Sequence, residues 1–225
     1  MNNPSYFLFA FRNPAMTDHE NAPISSRRKP KQARSTELVS AILEAAIQVL
    51  AKEGVRRFTT TRVAERAGVS IGSVYQYFPN KASILFRLQS DEWRETGAML
   101  WNILGDASQP PLERLRRMVH AFIQSECDEA AVRRALDDAA PLYRDAPEAK
   151  AARAEGEQNI ALFMRELLPS VDEAARAIAT DMIITTMSTV GKQFSETPRT
   201  ADEIETYAEA MNAMFRAYLK SLEPA

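Results

Sequence analysis

The stretch Thr59-Thr60-Thr61-Arg62-Val63-Ala64-Glu65-Arg66-Ala67-Gly68-Val69-Ser70-Ile71-Gly72-Ser73-Val74-Tyr75-Gln76-Tyr77-Phe78 decides the fold of this 225-residue chain. It reads as two short helices joined by a tight turn. The first fits residues 61–67, with Thr60 as N-cap, because a side-chain oxygen there satisfies an otherwise orphaned backbone N–H. Gly68 stands where the chain must leave that helix, a position that often demands positive φ. Ser70 is the next N-cap, and the second helix runs to about Phe78. Val63, Ala64 and Ala67 supply an inner face, which Val69, Val74 and Phe78 complete against a preceding helix. This pattern is that of a helix-turn-helix, whose second helix enters the major groove of DNA with its first residues at the base edges.

Working outward, Leu38, Ile42, Ala45 and Val49 recur at helical spacing and predict a long first helix, with Ser35 as N-cap and Gly54 as its stop. Downstream, Pro79-Asn80 breaks the chain, and Asn80 caps a fourth helix through Ile84, Leu85 and Leu88. Pro110-Pro111, Pro141, Pro147, Pro169 and Pro198 then divide the remainder into helix-length segments. Leu112, Leu115, Val119, Phe122 and Ile123 keep helical spacing, as do Ile160, Phe163, Met164 and Leu167. The two longest segments, about 171–196 and 201–221, close the chain. With only 7 glycines and no sustained alternation of apolar and polar residues, the fold class is all-α. The expected organisation is a disordered leader with a basic end over 1–30, a helix-turn-helix domain over 31–87, and a larger helical ligand-sensing and dimerisation domain over 88–225.

Charge follows the same division. The formal net charge is only −2, yet residues 27–87 carry 12 Lys and Arg against four acidic residues, a balance of +8. Residues 88–225 carry −9. A basic block on an acidic body suits a polyanion such as nucleic acid. Arg27, Arg28, Lys29, Lys31 and Arg34 are candidates for an arm along the DNA, or for a solvated tail. No apolar run approaches the roughly 18–20 residues of a membrane span. The run Tyr6–Phe11 is shorter than a secretory core and lacks a preceding basic residue, so it is read as leader, with Met16 as an alternative start. A cytoplasmic protein without membrane contact is expected, and the single cysteine, Cys127, agrees with a reducing compartment.

The long first helix, the Thr-Thr entry to the second, Ala67-Gly68-Val69-Ser70, the block Val74-Tyr75-Gln76-Tyr77-Phe78 and Lys81 together resemble the TetR family of bacterial one-component regulators. The likeness covers roughly residues 35–88. It implies a homodimer that binds a near-palindromic double-stranded operator through its N-terminal domains. It also implies that a small-molecule effector in the C-terminal domain releases the DNA. Ile71, Gly72 and Ser73 open the recognition helix and are placed to read bases: Ile71 against a thymine methyl, Gly72 by close approach, Ser73 as donor or acceptor. Gln76 reaches adenine or a phosphate. Tyr75 and Tyr77 resemble positions used on phosphates, with core packing as the alternative for each. Lys81, Thr60 and Thr61 suit the DNA backbone, and Arg62 a base or the backbone.

Beyond residue 90 the likeness fades. Trp93, Trp101, Met118, Phe122, Phe163, Met164 and Met187 are candidates for an effector pocket, although helical periodicity also accounts for them as core. Met182, Ile183, Thr186 and Val190 form one stripe. Tyr207, Met211, Met214, Phe215 and Tyr218 form another, and the two suit a four-helix dimer interface or inward packing. His120 and Cys127 lie about 10 Å apart along one helix, too far for a nucleophile–base pair. No closely spaced metal-ligand motif and no catalytic constellation is present, so no enzyme, cofactor or metal centre is expected. The reading is a sequence-specific regulator, most naturally an effector-released repressor. An activator, a ligand-independent regulator and a helical adaptor are the alternatives.

Overall fold

The computed structural model describes residues 24–25 and 33–223. Among these residues nine α-helices follow one another: α1 (Ala33–Arg57), α2 (Thr60–Ala67), α3 (Ile71–Tyr77), α4 (Lys81–Leu104), α5 (Pro111–Asp128), α6 (Ala130–Ala139), α7 (Pro147–Leu167), α8 (Glu173–Phe194) and α9 (Ala201–Leu222). A single 3-10 turn, Ala140–Leu142, follows α6. The described residues contain no strand, so the all-α expectation holds.

Two apolar cores organise these helices. The first gathers Ile42, Leu50, Phe58, Val63, Val74, Phe78 and Leu85 from α1–α4 and the α1–α2 loop, and it takes in Leu136, Ala139 and Tyr143 as well. The second joins Met118, Ile123, Phe163, Met164, Ile183 and Phe215 across α5, α7, α8 and α9. The expected boundary at 87/88 marks no break between helices. It falls inside α4, which runs from the head into the body, and α6 of the body lies on the head's core.

Local chemistry sets the ends of the helices. Gly54 sits at φ 70° and ψ 171°, a combination essentially reserved for glycine, and it kinks α1 one turn before its end. Ser35 is not the N-cap of α1, because the helix already runs from Ala33. Thr60 is not a cap either. Thr59 holds the extended backbone of a cap and accepts from Arg62 N at 3.2 Å, which makes Thr60 the first helical residue. Gly68 has φ 68°, as the turn reading required, and its N–H closes the helix on Ala64 and Glu65 carbonyls. Asn80 and Ser83 form a reciprocal capping box at α4, and Thr200 and Glu203 do so at α9.

The leader is partly corrected. Ile24 is buried in the first core, and the Ser25 hydroxyl donates to Glu148 Oε1 at 2.8 Å, so these two residues pack on the folded domains. The Tyr6–Phe11 run, Met16 and the basic residues Arg27, Arg28, Lys29 and Lys31 lie outside the described residues, as does the side chain of Arg34.

Candidate nucleic-acid interface

The recognition surface is built on α3, seven residues long and held at both ends. Ser70 Oγ accepts from Ser73 N at 3.0 Å, and the N–H of Phe78 closes the last turn on Val74. With the helix fixed, its 3.6-residue period sorts the side chains. Val74 and Phe78 are fully buried against α1 and α2. Ile71, Gly72, Tyr75 and Gln76 face solvent, and Ile71 and Tyr75 keep 38% and 42% of their surface exposed. Ile71 and Tyr75 therefore offer apolar surface to a partner from a rigid helix.

Ser73 lies at the edge of this face, half-buried, with its Oγ 2.8 Å from Ser70 Oγ. Its hydroxyl is shared with the cap, so it offers bases the lone pair or proton that the cap leaves over. Tyr75 reaches across to α2, where its hydroxyl lies 3.2 Å from Thr60 Oγ1. That contact joins the N-terminus of α2 to the outer face of α3 and presents both hydroxyls together. Thr61 is exposed beside them. Lys81 follows the Asn80 cap at the start of α4, so a cation and a helix N-terminus coincide there.

Two predicted contact residues are placed otherwise. Tyr77 is 9% exposed and belongs to the first core, so the core alternative for its ring is the correct one. Arg62 is tied back: its guanidinium pairs with Glu53 of α1 and lies 3.4 Å from the Arg57 carbonyl. It braces α2 against α1. Arg66 likewise donates to Gln48 Oε1 of α1 at 2.5 Å. The sequence reading missed these braces, along with Thr59, because they join residues up to 18 positions apart or turn on a one-residue choice of cap.

In the body, Met118, Phe163, Met164 and Met187 meet in the second core, with Phe122 packed against it. Trp93 and Trp101 belong to neither core, and Trp101 is outward-facing at 38% exposure, so they do not join the other five. The two dimer stripes also divide. Ile183, Met211 and Phe215 are buried within the subunit and are corrected to core residues. Thr186, Val190, Tyr207 and Tyr218 are half-buried. Tyr207 stacks on Phe194 with ring centres 3.9 Å apart, which pins α9 to α8. Met182 and Met214 remain outward, more than half exposed or nearly so at 52% and 50%, and Ile178 joins them at 61%.

A polar joint lies where α4, α5 and α6 meet. Arg133 of α6 pairs with Glu92 of α4 at 3.0 Å, with Glu126 of α5, and with Glu129 at 3.0 Å, and it donates to Thr96 Oγ1 at 2.9 Å. Burial pushes the Glu92 and Glu126 carboxyls above the usual carboxylate range, and the Arg133 charge opposes that rise. Because α4 begins in the head, this joint ties the head's exit helix to two helices of the body. No helix among the described residues is long and apolar enough to cross a membrane.

Comparison with known proteins agrees with this geometry. Residues 42–88 match the family profile described as "Bacterial regulatory proteins, tetR family". Residues 110–222 match that of the "Tetracyclin repressor-like, C-terminal domain". The chain is 27% identical over 139 residues to the HTH-type transcriptional repressor KstR of Rhodococcus jostii, covering 60% of this chain and 64% of that protein. It is 41% identical over 118 residues to the probable HTH-type transcriptional regulator ArpR of Pseudomonas putida, covering 45% and 55%. The chain thus spans between about a quarter and two thirds of the length of the curated relatives it matches. A solved putative TetR-family transcriptional regulator from Mesorhizobium loti shares the fold, with a TM-score of 0.64, 18% identity, and coverage of 83% of this chain and 98% of that one.

Proposed function

Because this chain belongs to the TetR family of bacterial regulatory proteins, we propose that it is a sequence-specific DNA-binding repressor, released from its operator by a small-molecule effector. The observation that carries the reading is the outer face of α3. Ile71, Gly72, Tyr75 and Gln76 stand in solvent on a helix whose other side is locked into the core. The first residues of such a helix meet base edges in the major groove, while the Tyr75 and Thr60 hydroxyls and Lys81 suit phosphates on either side. The net basic charge of residues 27–87 supplies the sequence-independent part of the affinity.

The outward faces of α8 and α9, where Ile178, Met182 and Met214 are exposed, support a homodimer. Two copies of each helix would form a four-helix bundle across a two-fold axis and set the spacing of the heads. The effector would act within the core that contains Met118, Phe122, Phe163, Met164 and Met187. It needs to favour one head spacing by only a few kcal/mol. The strain would reach the DNA through α4, held to the body at Arg133.

The test is binding of the purified protein to the promoter of its own gene and of adjacent genes. Binding should fall steeply as salt rises, and Tyr75→Phe should weaken it on all sequences alike. Failure to bind any of those fragments at low salt would overturn the proposal.

A further inference from the structure

Beside the apolar contact of α5 with α9 lies a polar cluster. On α9, Asp202, Glu205, Glu209 and Asn212 fall three, four and three residues apart and so share one face. Opposite them on α5 stand Arg116 and His120. The His120 ring lies between two carboxylates: Nδ1 is 3.0 Å from Glu205 Oε2, and Nε2 is 3.3 Å from Glu209 Oε1. One ligand atom from each of these three residues falls within 4.8 Å of the others. Nε2 is shielded from solvent, yet it is not in hydrogen-bonding geometry with any partner. Asn212, itself 3% exposed, holds the other Glu209 oxygen through its amide nitrogen at 3.4 Å. An open depression of about 470 Å³ lies against this cluster, lined by His120, Gln124, Asp202 and Glu205 among others.

From this geometry we propose that His120, Glu205 and Glu209 form a binding site for a divalent transition-metal cation of the Zn²⁺ class. An imidazole and two carboxylates, brought from facing helices, are a borderline donor set that Zn²⁺ and its neighbours accept. Three protein ligands, one of them a single ring nitrogen of His120, would leave a fourth position for water. Asn212 supplies the outer contact that orients a ligating carboxylate. The sequence shows no closely spaced ligand motif there, since His120 and Glu205 are 85 residues apart.

Arg116 decides how the site behaves. Its guanidinium pairs with Glu209 and lies 3.7 Å from Glu205, so it is the cation now facing both carboxylates. It also has a third partner, Glu113, at 3.5 Å, to which it can withdraw. Metal and Arg116 therefore compete for the same oxygens. Removing a cation from a stabilising ion pair ordinarily only loosens a structure. Here it should tighten binding of a second cation, an opposite sign that a purely structural cluster has no reason to give.

The experiment is titration of metal-free full-length protein with Zn²⁺ against a chelating dye, with Co²⁺ absorption as a second readout. Wild type should take one ion per chain, and His120→Asn and Glu209→Gln should each weaken binding at least tenfold. Glu205→Gln, on a residue 62% exposed, should do the same without touching the core, which keeps the test valid if another variant misfolds in chelator. Arg116→Gln should strengthen binding several-fold. His19→Ala, removing the only other histidine, should leave it unchanged, and the Co²⁺ spectrum should lack a thiolate charge-transfer band from Cys127. Equal affinity in wild type and His120→Asn overturns the site, as does loss on His19→Ala or no binding below millimolar Zn²⁺. None of these readouts involves DNA, so the result stands or falls apart from the repressor reading.

Discussion

In the helix-turn-helix head, α2 and α3 have eight and seven residues, and each is bounded by a cap next to it in sequence. In the body, α8 and α9 have 22 residues each, and their orientation is set by partners that lie far along the chain. The head tells its register locally: Thr59, Gly68, Ser70 and Asn80 fix where each helix starts and stops, so the outward residues follow within one position. The body has capped ends too, but an end does not say which of two apolar faces turns inward. That is why Ile71, Tyr75 and Gln76 were legible as a surface, while Ile183, Met211 and Phe215 were grouped with Met182 and Met214, from which burial separates them.

The largest expected effect tests whether head and body are separable at all. Phe58 is fully buried in a core that also contains Leu136 and Tyr143 of the body. Phe58→Ala should cost about 4 kcal/mol, the usual loss for emptying a buried aromatic site. If the shared core couples the two regions, urea unfolding should stay a single transition shifted to lower denaturant. A new early transition carrying only the head's signal would show that the head unfolds on its own despite the continuous α4.

Arg133→Ala comes next, at about 3 kcal/mol near neutral pH, because it leaves Glu92 and Glu126 buried without their cation. The cost is limited because both carboxyls can take up a proton. Their pKa values are already raised in the folded state, so between the unfolded value near 4.5 and the raised value the native protein binds more protons than the unfolded one. Stability from these two groups therefore falls as pH rises through that window and is regained on acidification. Removing Arg133 should widen the window. The variant's deficit, measured by urea unfolding, should shrink steadily from pH 7 toward pH 5. A deficit that is flat across that range would mean the two glutamates do not share the arginine's charge.

How much could be read in advance follows from the range of each interaction. The helix-turn-helix, its turn glycine and the α4 cap are set by neighbours within about four residues, and the sequence displays them. Arg62 against Glu53 and Arg66 against Gln48 are nine and 18 residues apart and look from sequence like free cations available to DNA. The Arg133 joint and the His120 cluster draw on partners as far as 41 and 89 positions away, where no periodicity points. Tyr77 failed for a different reason: at the last position of α3 a tyrosine suits both the core and a phosphate, and only the packing of Phe78 and Val74 beside it decides.

Two glycines sharpen the local side of the contrast. Gly54, at φ 70° and ψ 171°, occupies backbone space that other residues scarcely enter, so Gly54→Ala should cost about 2 kcal/mol. Gly68 has φ 68° and ψ 29°, the ordinary left-handed region, and nothing within 4 Å would meet an added Cβ. Gly68→Ala should therefore cost nearer 1 kcal/mol, and Gly68→Asn less again. Thermal melts of the three variants should rank in that order. Equal costs at Gly54 and Gly68 would show that the difference in ψ does not govern them, since an added Cβ meets nothing within 4 Å at either.

The smallest effect separates two adjacent threonines that the sequence alone could not order. Thr59 accepts from Arg62 N and caps α2, so Thr59→Ala should lose about 1 kcal/mol of stability. Thr60 makes no cap contact. Its Oγ1 meets the Tyr75 hydroxyl on the exposed face, so Thr60→Ala should cost only a few tenths of a kcal/mol. Promoter binding should reverse the ranking once the melting difference is allowed for. Thr60→Ala removes a hydroxyl and frees Tyr75 from its position, whereas Thr59→Ala leaves the recognition face intact at temperatures well below the melt. If Thr59→Ala proved the weaker binder and Thr60→Ala the less stable protein, the cap would have to move one residue. The whole of α2 would turn with it by about 100°, and the face offered to DNA would have to be assigned afresh.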